Sequence, residues 1–193
     1  MAEQMDNSTK FITGTKLKEE GLSYYRIKCL TQEGYLKKVN HTTYENLHYV
    51  GEENDFYSAS SYVPKGVICL LSAASYYGLS HYVPDAVDIA IDRKARVTTL
   101  PDSPRLRLYY FDAKRLRMGR KVIHEGNNSF VIFDCEKTII DILAYRNKVG
   151  IEEMKEILTT YLTRKDRDLN RLDAYAKALK CEKILRTYLE VLV

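Results

Sequence analysis

The stretch GLSYYRIKCLTQEGYLKKV, residues 21–39, decides the fold of the N-terminal part of the chain. Ser23 is a preferred helix N-cap. Leu22 precedes this cap and is placed to pack on Ile27, the arrangement known as a hydrophobic staple. A glycine follows Glu33 and supplies a helix stop. The pattern therefore predicts a helix from Tyr24 to Glu33.

The two sides of this predicted helix differ in chemistry. At 100° per residue, Ile27 and Leu30 form a buried stripe. Tyr25, Lys28 and Gln32 fall on the opposite side of the helix. Aromatic, cationic and amide side chains suit contacts with phosphates and with base edges in a major groove. The exposed face is therefore a candidate DNA-binding surface.

The flanking segments extend this helix into a larger pattern. ITGTKLKEE (12–20) predicts a short helix that begins at a threonine cap, and YLKKVNHTTY (35–44) predicts two short strands joined by a tight turn. Lys37, Lys38 and His41 lie on or near the tip of that hairpin. Two helices followed by a basic hairpin are typical of a winged helix-turn-helix. A plain helical hairpin is the alternative interpretation.

The rest of the sequence predicts a second, mixed domain. The polar residues 51–66 indicate a linker, and SAASYYGL (72–79) indicates a short helix. In the strand predicted at 87–92, apolar residues alternate with acids, which is typical of a strand buried on one face. The other predicted strands are 106–111, 122–126 and 129–133, and four helices are predicted around Ile139, Met154, Leu172 and Leu185.

These patterns give the predicted domain organisation. The fold class is α+β, with an N-terminal winged helix-turn-helix followed by a mixed α/β domain that ends in several helices. We place the first domain at residues 1–52 and the second at residues 53–193.

Composition narrows the class of protein. Of 193 residues, 45% are hydrophobic and 29% are charged, which is typical of a globular protein. No apolar run reaches the ~20 residues that cross a membrane, and the polar N-terminus lacks the layout of a secretory signal. We therefore expect a cytoplasmic protein without membrane association. The four cysteines form no CxxC pair, which predicts reduced thiols and no structural zinc.

Positive charge is concentrated in two segments. Residues 21–43 hold four basic residues against one acid, and residues 91–121 hold ten basic residues against three acids. Such runs often form a solvated face, but on a DNA-binding scaffold they indicate a polyanionic partner. The second segment raises the separate hypothesis that the second domain also faces nucleic acid.

One group of residues offers an alternative function. Asp85, Asp92 and Lys94 imitate the acid–acid–lysine pattern of metal-dependent nucleases, in which two carboxylates hold a divalent cation. A turn at the end of a strand accounts for the same residues, and no further acid is obviously placed to complete the site. A metal-dependent nuclease or nucleotidyl-transfer enzyme built on residues 85–141 is therefore the alternative function.

Other candidates for catalysis are weaker. The serines and His81 of segment 72–81 lack the acid and the strand–turn context of a nucleophile triad. Glu136, Lys137 and Asp141 lie at a predicted helix start, where a first-turn acid favours the helix dipole and a surface ion pair is expected. There is no glycine-rich phosphate loop. We expect no catalytic residues, no bound metal, no cofactor and no enzymatic activity.

The order of these motifs resembles one known family. Segments 12–39, 64–80, 131–143 and 188–193 are similar to the AbiEi-type abortive-infection antitoxins, which are bacterial transcriptional regulators from phage-defence toxin–antitoxin loci. The resemblance runs over roughly residues 11–193. Its most specific parts are SAASYYGL with the proline that follows it and the D-x-E-K-T-I-x-D stretch.

The resemblance implies a type IV antitoxin that represses its own operon by binding double-stranded DNA at its promoter. The second domain would supply the antitoxin activity against a nucleotidyltransferase-like toxin, without a stable complex. Glu136, Lys137 and Asp141 match a family signature whose role is unknown. The DNA contacts that the resemblance implies are Tyr24, Tyr25, Arg26, Lys28, Gln32, Lys37, Lys38 and His41. Homo-oligomerisation is left open, and a protein-interaction module that uses the C-terminal helices is a further alternative.

Two departures from the family pattern concern the DNA-binding part. Family members have a full apolar helix before the segment that corresponds to residue 11. In this chain, residues 1–10 contain only two methionines and one alanine as apolar residues. The helix-turn-helix is therefore minimal, or a partner chain completes it. Thr42 stands where the hairpin tip often has glycine, and Asn40 is expected to support the turn because asparagine tolerates the left-handed conformation.

Overall fold

The structure is a computed structural model that describes residues 6–97 and 99–192. Met1, Ala2 and Met5, the apolar residues of the N-terminal segment, lie outside the described residues. The strands are β1 Phe11–Thr13, β2 Leu36–Lys38, β3 Thr43–Asn46, β4 Val67–Ile68, β5 Val87–Asp92, β6 Leu106–Phe111, β7 Arg120–Glu125 and β8 Asn128–Phe133. The helices are α1 Gly14–Glu19, α2 Tyr24–Gln32, α3 Asp55–Tyr62, α4 Leu70–Tyr76, α5 Ala113–Arg117, α6 Cys135–Ala144, α7 Arg146–Val149, α8 Ile151–Thr163, α9 Leu169–Ala178 and α10 Glu182–Leu192. The predicted α+β class is confirmed.

The N-terminal elements form a small antiparallel sheet in the order β1-β3-β2, with α1 and α2 packed on it. In the register of this sheet Ile12 lies opposite Tyr44, and Lys37 lies opposite Glu45. The aliphatic core between the helices and the sheet consists of Ile12, Leu17, Ile27, Leu30 and Leu36. This core holds both helices against the three strands.

The helix predicted over residues 12–20 is shorter in the structure. Residues 11–13 form β1, which pairs with β3 and satisfies its backbone groups in the sheet. The helix α1 then begins at Gly14, because Thr13 caps it by accepting a hydrogen bond from the Lys16 backbone N–H at 3.2 Å. The prediction missed β1 because a three-residue strand is too short for a clear alternating pattern.

A second, five-stranded sheet organises the rest of the chain in the order β6-β5-β4-β8-β7. The β5–β6 and β4–β8 pairs are parallel, whereas β4–β5 and β7–β8 are antiparallel. The larger core joins one face of this sheet to α4, α6, α8 and α9, and α3 packs on the other face. The sheet is therefore covered by helices on both sides.

The linker predicted at residues 51–66 is wrong, because this segment contains α3. The Asn54 side chain caps the helix by accepting a hydrogen bond from the Phe56 backbone N–H at 2.9 Å. Tyr57 and Ala59 are buried against the five-stranded sheet. Small and aromatic side chains thus supply a packing face where the sequence looks polar overall.

Direct hydrogen bonds join the small N-terminal sheet to the rest of the protein. Asn128 accepts a bond from the Lys10 backbone N–H at 2.8 Å and donates one to the Ser8 carbonyl at 3.2 Å. The Asn40 side chain donates to the Ser61 carbonyl at 2.8 Å. The tip of the β2–β3 hairpin is therefore tied to α3. The domain boundary at residue 52 stays a prediction.

The strand β5 differs from its prediction, since helices on both faces of the sheet bury both of its sides. Asp88 is consequently fully buried. Its carboxylate accepts a hydrogen bond from the Leu71 backbone N–H at 3.2 Å and lies 3.4 Å from the Arg107 guanidinium. Burial raises the pKa of Asp88 from 3.8 to about 6, although Arg107 opposes this effect. The predicted half-buried strand is wrong for this reason.

We predict that Asp88 makes stability depend on pH. Because its pKa is higher in the folded state, the folded protein binds more protons than the unfolded chain between pH 3.8 and about 6, so stability falls as the pH rises through this range. Relative to Asp88→Asn, the wild type should lose about 3 kcal/mol of unfolding free energy between pH 3.5 and 7, since a shift of one pKa unit corresponds to about 1.4 kcal/mol.

Urea unfolding at a series of pH values measures this difference. Asp102→Asn is the matched control, because Asp102 is exposed. Its unfolding free energy should follow that of the wild type at every pH. Parallel stability curves for wild type and Asp88→Asn would contradict the account.

Candidate nucleic-acid interface

Local sequence signals set the start and the end of α2. The Ser23 hydroxyl accepts a hydrogen bond from the Arg26 backbone N–H at 3.2 Å, so the predicted N-cap is confirmed. Leu22 packs against the cluster that contains Ile27, as the staple pattern predicts. The helix ends at Gln32, one residue earlier than predicted, with Glu33 as its C-cap.

The predicted inner stripe of α2 is confirmed. Ile27 and Leu30 keep only 3% and 6% of their surface exposed. On the outer side Tyr24 and Tyr25 are 72% and 76% exposed, and Lys28 is exposed as well. The start of α2 therefore presents two adjacent aromatic side chains to solvent.

Gln32 and Arg26, the other predicted DNA contacts on α2, differ in their exposure to solvent. Gln32 is exposed one helical turn after Lys28, so the two side chains share one line along the helix. Arg26 is half-buried, and its guanidinium lies 3.4 Å from the Glu33 carboxylate. Lys28 and Gln32 are therefore exposed to a ligand, whereas Arg26 must first leave the Glu33 carboxylate.

The hairpin formed by β2 and β3 carries the other predicted contacts. Lys37, Lys38 and His41 are all exposed. Lys37 lies 3.9 Å from the carboxylate of Glu45 on the neighbouring strand. This ion pair between exposed groups is weak, because water screens it and two long side chains must be ordered to form it.

The hairpin tip closes through a side chain rather than through a left-handed backbone. The Asn40 side-chain oxygen accepts hydrogen bonds from the backbone N–H groups of Thr42 and Thr43, at 2.9 and 3.0 Å. Asn40 is not among the residues with positive φ. The expectation of a left-handed Asn40 is therefore wrong, and an asparagine side-chain turn takes the place of glycine.

The three residues of the family signature are buried, so the predicted surface pair is wrong. Lys137 and Asp141 lie one turn apart on the face of α6 that packs on the sheet, and they form an ion pair without exposure to water. Arg115 donates a second bond to Asp141 at 2.5 Å. The Lys137 ammonium also lies 4.1 Å from the centre of the Phe133 ring. Burial lowers the pKa of Lys137 and raises the pKa of Asp141.

Glu136 and the preceding Asp134 connect helices instead of facing solvent. The Glu136 carboxylate accepts hydrogen bonds from the Tyr161 hydroxyl at 3.1 Å and from the Asp168 backbone N–H at 3.3 Å. The Asp134 carboxylate accepts one from the Tyr175 hydroxyl at 2.7 Å. The signature therefore fastens α6 to α8 and α9. Arg115 was not predicted as the partner of Asp141. The excess of basic residues in segment 91–121 was the available signal, because such residues can pair with buried acids elsewhere in the chain.

The residues of the nuclease alternative do not come together. Asp85 precedes β5 and accepts a hydrogen bond from Arg107 at 2.7 Å. Asp92 is the last residue of β5, so the strand Val87–Asp92, which rises about 3.3 Å per residue, separates the two acids. The Asp92 carboxylate instead accepts from the Lys94 backbone N–H at 2.8 Å. Within residues 6–97 and 99–192, no three histidine, cysteine or acidic side chains are grouped to hold a metal ion.

Comparisons with known proteins do not assign the chain to a family. No family model matches the sequence, and no curated protein matches it. One similar solved structure is that of the RV2827C protein from Mycobacterium tuberculosis, with 14% sequence identity and a TM-score of 0.46. The match covers 92% of this chain and 76% of that chain. A TM-score of that size carries no argument about function. In the described part of the chain, every helix is too short or too polar to cross a membrane.

We predict that the buried pair stabilises the fold far more than an exposed pair of the same type. Asp141→Ala leaves Lys137 and Arg115 without their partner, which should cost about 3–5 kcal/mol of unfolding free energy. Asp173→Ala is the matched control, because Asp173 lies 2.7 Å from Lys177 in an exposed pair on α9. It should change the unfolding free energy by less than about 0.5 kcal/mol.

Urea unfolding at pH 7 measures both variants. Equal losses in Asp141→Ala and Asp173→Ala would contradict the structural role assigned to the signature.

Proposed function

We propose that the protein is a DNA-binding transcriptional autorepressor. Its N-terminal 52 residues act as a winged helix-turn-helix, in which α2 enters the major groove and the β2–β3 hairpin is the wing. The observation that carries the proposal is the outer face of α2, where two exposed tyrosines stand beside an exposed lysine and an exposed glutamine. A basic hairpin follows it directly on the same core.

The dimensions and chemistry of α2 support this role. Nine helical residues span about 13 Å, and a helix of ordinary diameter fits the major groove, which is about 12 Å wide. Gln32 offers the amide that pairs with the N6 and N7 atoms of adenine. Lys28 offers a cation to a guanine edge or to a phosphate. Tyr24 and Tyr25, at the N-terminus of the helix, supply hydroxyl donors and apolar contact.

The wing supplies contacts that do not depend on base sequence. Lys37, Lys38 and His41 carry no strong ion pair in the described part of the chain, since Lys37 has only the long contact with Glu45. A phosphate replaces that carboxylate without the loss of a buried bond. These contacts position α2 in the groove and release counterions.

The antitoxin part of the proposal rests on the sequence resemblance to AbiEi-type proteins. We propose that the second domain opposes a nucleotidyltransferase-like toxin in the cytoplasm without a stable complex. In this account Glu136, Lys137 and Asp141 maintain the fold of that domain, because their burial keeps them from contacting another molecule. The toxin-opposing surface then lies on exposed residues around them.

The salt dependence of DNA binding tests the proposed interface. Replacing Lys28 and Lys37 together with alanine should weaken binding to a duplex of the protein's own promoter by about tenfold or more at 0.1 M salt. If both lysines contact phosphates, the slope of log K against log salt concentration should become shallower by about 2, because each contact contributes about 0.9.

Lys183→Ala is the control, since Lys183 is an exposed lysine on α10, away from the proposed interface. It should leave both affinity and slope unchanged. Unchanged affinity in the Lys28→Ala/Lys37→Ala variant, measured by gel shift or fluorescence anisotropy, would contradict the interface.

A second variant separates base contacts from phosphate contacts. Gln32→Ala should weaken binding to the promoter by about fivefold or more but leave binding to an unrelated duplex unchanged, because an amide contact to a base edge depends on sequence. Lys37→Ala should weaken binding to both duplexes equally. Competition titrations with both DNAs measure the ratio, and an equal effect of Gln32→Ala on the two would remove this residue from the base-reading role.

A further inference from the structure

A cavity of about 810 Å³ lies between the hairpin tip and the second domain. It is bordered by residues 38–41 of the hairpin, by residues 62–65 at and after the end of α3, and by residues 91, 92 and 95–97 at and after the end of β5. Thr99, Leu116 of α5 and Arg120 at the start of β7 complete the lining. The volume falls within the range of small-molecule sites, about 300–1,000 Å³.

Four cations from four separate parts of the chain line this cavity, namely Lys38, Lys65, Arg96 and Arg120. Among the described residues, none of them lies within ion-pair distance of a carboxylate. The one acid in the lining, Asp92, accepts a hydrogen bond from the Lys94 backbone N–H. Positive charge is therefore concentrated around an open space, where an anion with several charges gains most.

The rest of the lining is apolar. Val39, Tyr62, Val97 and Leu116 contribute side chains to the wall. An apolar wall next to a group of cations matches a ligand with a flat or apolar body and a multiply charged anionic part. Nucleotides combine these two chemistries, because a base stacks on apolar surface while its phosphates accept bonds from lysine and arginine.

We propose that this cavity binds a nucleoside di- or triphosphate. The phosphates contact the four cations, and the base lies against the apolar wall. A DNA duplex is too wide to enter a space of this volume, so the cavity is distinct from the groove-binding surface of α2. The nucleotide site rests on the lining alone and does not require the proposed function.

The position of the cavity couples it to the hairpin. Lys38 and His41 line the cavity, and both belong to the proposed wing. A nucleotide that engages Lys38 removes it from the phosphates of DNA, so each ligand weakens the binding of the other by the same factor. This second step rests on the proposed function.

Isothermal calorimetry on the full chain without DNA tests the site. ATP, GTP, CTP and UTP are titrated separately, and sodium triphosphate serves as a ligand without a base. At least one nucleotide should bind saturably in the micromolar range. Arg96→Ala and Arg120→Ala should each weaken that binding about tenfold or more. Lys94→Ala and Lys121→Ala should not change it, because these exposed cations lie next to the cavity residues in sequence but outside its lining.

Several results would overturn the nucleotide site. They are the absence of saturable binding for all four nucleotides, binding of triphosphate as tight as that of the best nucleotide, and equal weakening in the test and control variants. Arg96 and Arg120 are exposed, so their replacement should not unfold the protein. Both variants should therefore unfold at the same temperature as the wild type in a thermal melt.

Binding measurements with the promoter duplex distinguish the nucleotide site from the proposed DNA-binding function. If the promoter duplex does not bind but a nucleotide does, the proposed function fails while the nucleotide site stands. If the duplex binds with the same affinity in the presence and absence of saturating nucleotide, the coupling is overturned.

Discussion

The packing of Ile27 and Leu30 against Leu17 and Leu36 is the contact on which the proposed interface depends. Removing these aliphatic side chains from water fixes the rotation of α2 about its own axis, because only one face of the helix is apolar. The opposite face, with Lys28, must then point away from the protein. The same cluster holds the hairpin beside the helix, so one small core positions both parts of the interface.

The positive charge of the chain is divided between the interior and the surface. In the segment 91–121, Arg107 and Arg115 contact the buried acids Asp88 and Asp141. These arginines offset the cost of keeping two carboxylates away from water. Others, such as Arg96, reach the cavity beside the hairpin. A count of charges along the sequence does not separate these roles, because it does not show which acids are buried.

Local features of this fold follow from the sequence, and features that depend on distant residues do not. Ser23 and Asp134 are caps whose partners lie three residues away, so their helices are predictable. The burial of Lys137 is not predictable in this way, because it requires the sheet below α6 and the aromatic ring of Phe133. Helix α3 was missed for a similar reason, since its face of small and aromatic residues is buried only when the five-stranded sheet is present. The outer residues of α2 were predictable as exposed, but their role depends on a partner.

Chemical footprinting of lysines gives the most direct test of the interface. The full chain is acetylated with and without a duplex of its own promoter, and the extent of modification at each lysine is measured by mass spectrometry. The account predicts that DNA protects Lys28, Lys37 and Lys38, while Lys155 and Lys183 on the C-terminal helices are modified equally in both samples. Protection confined to the C-terminal helices, with Lys28 and Lys37 modified as in the free protein, would contradict it.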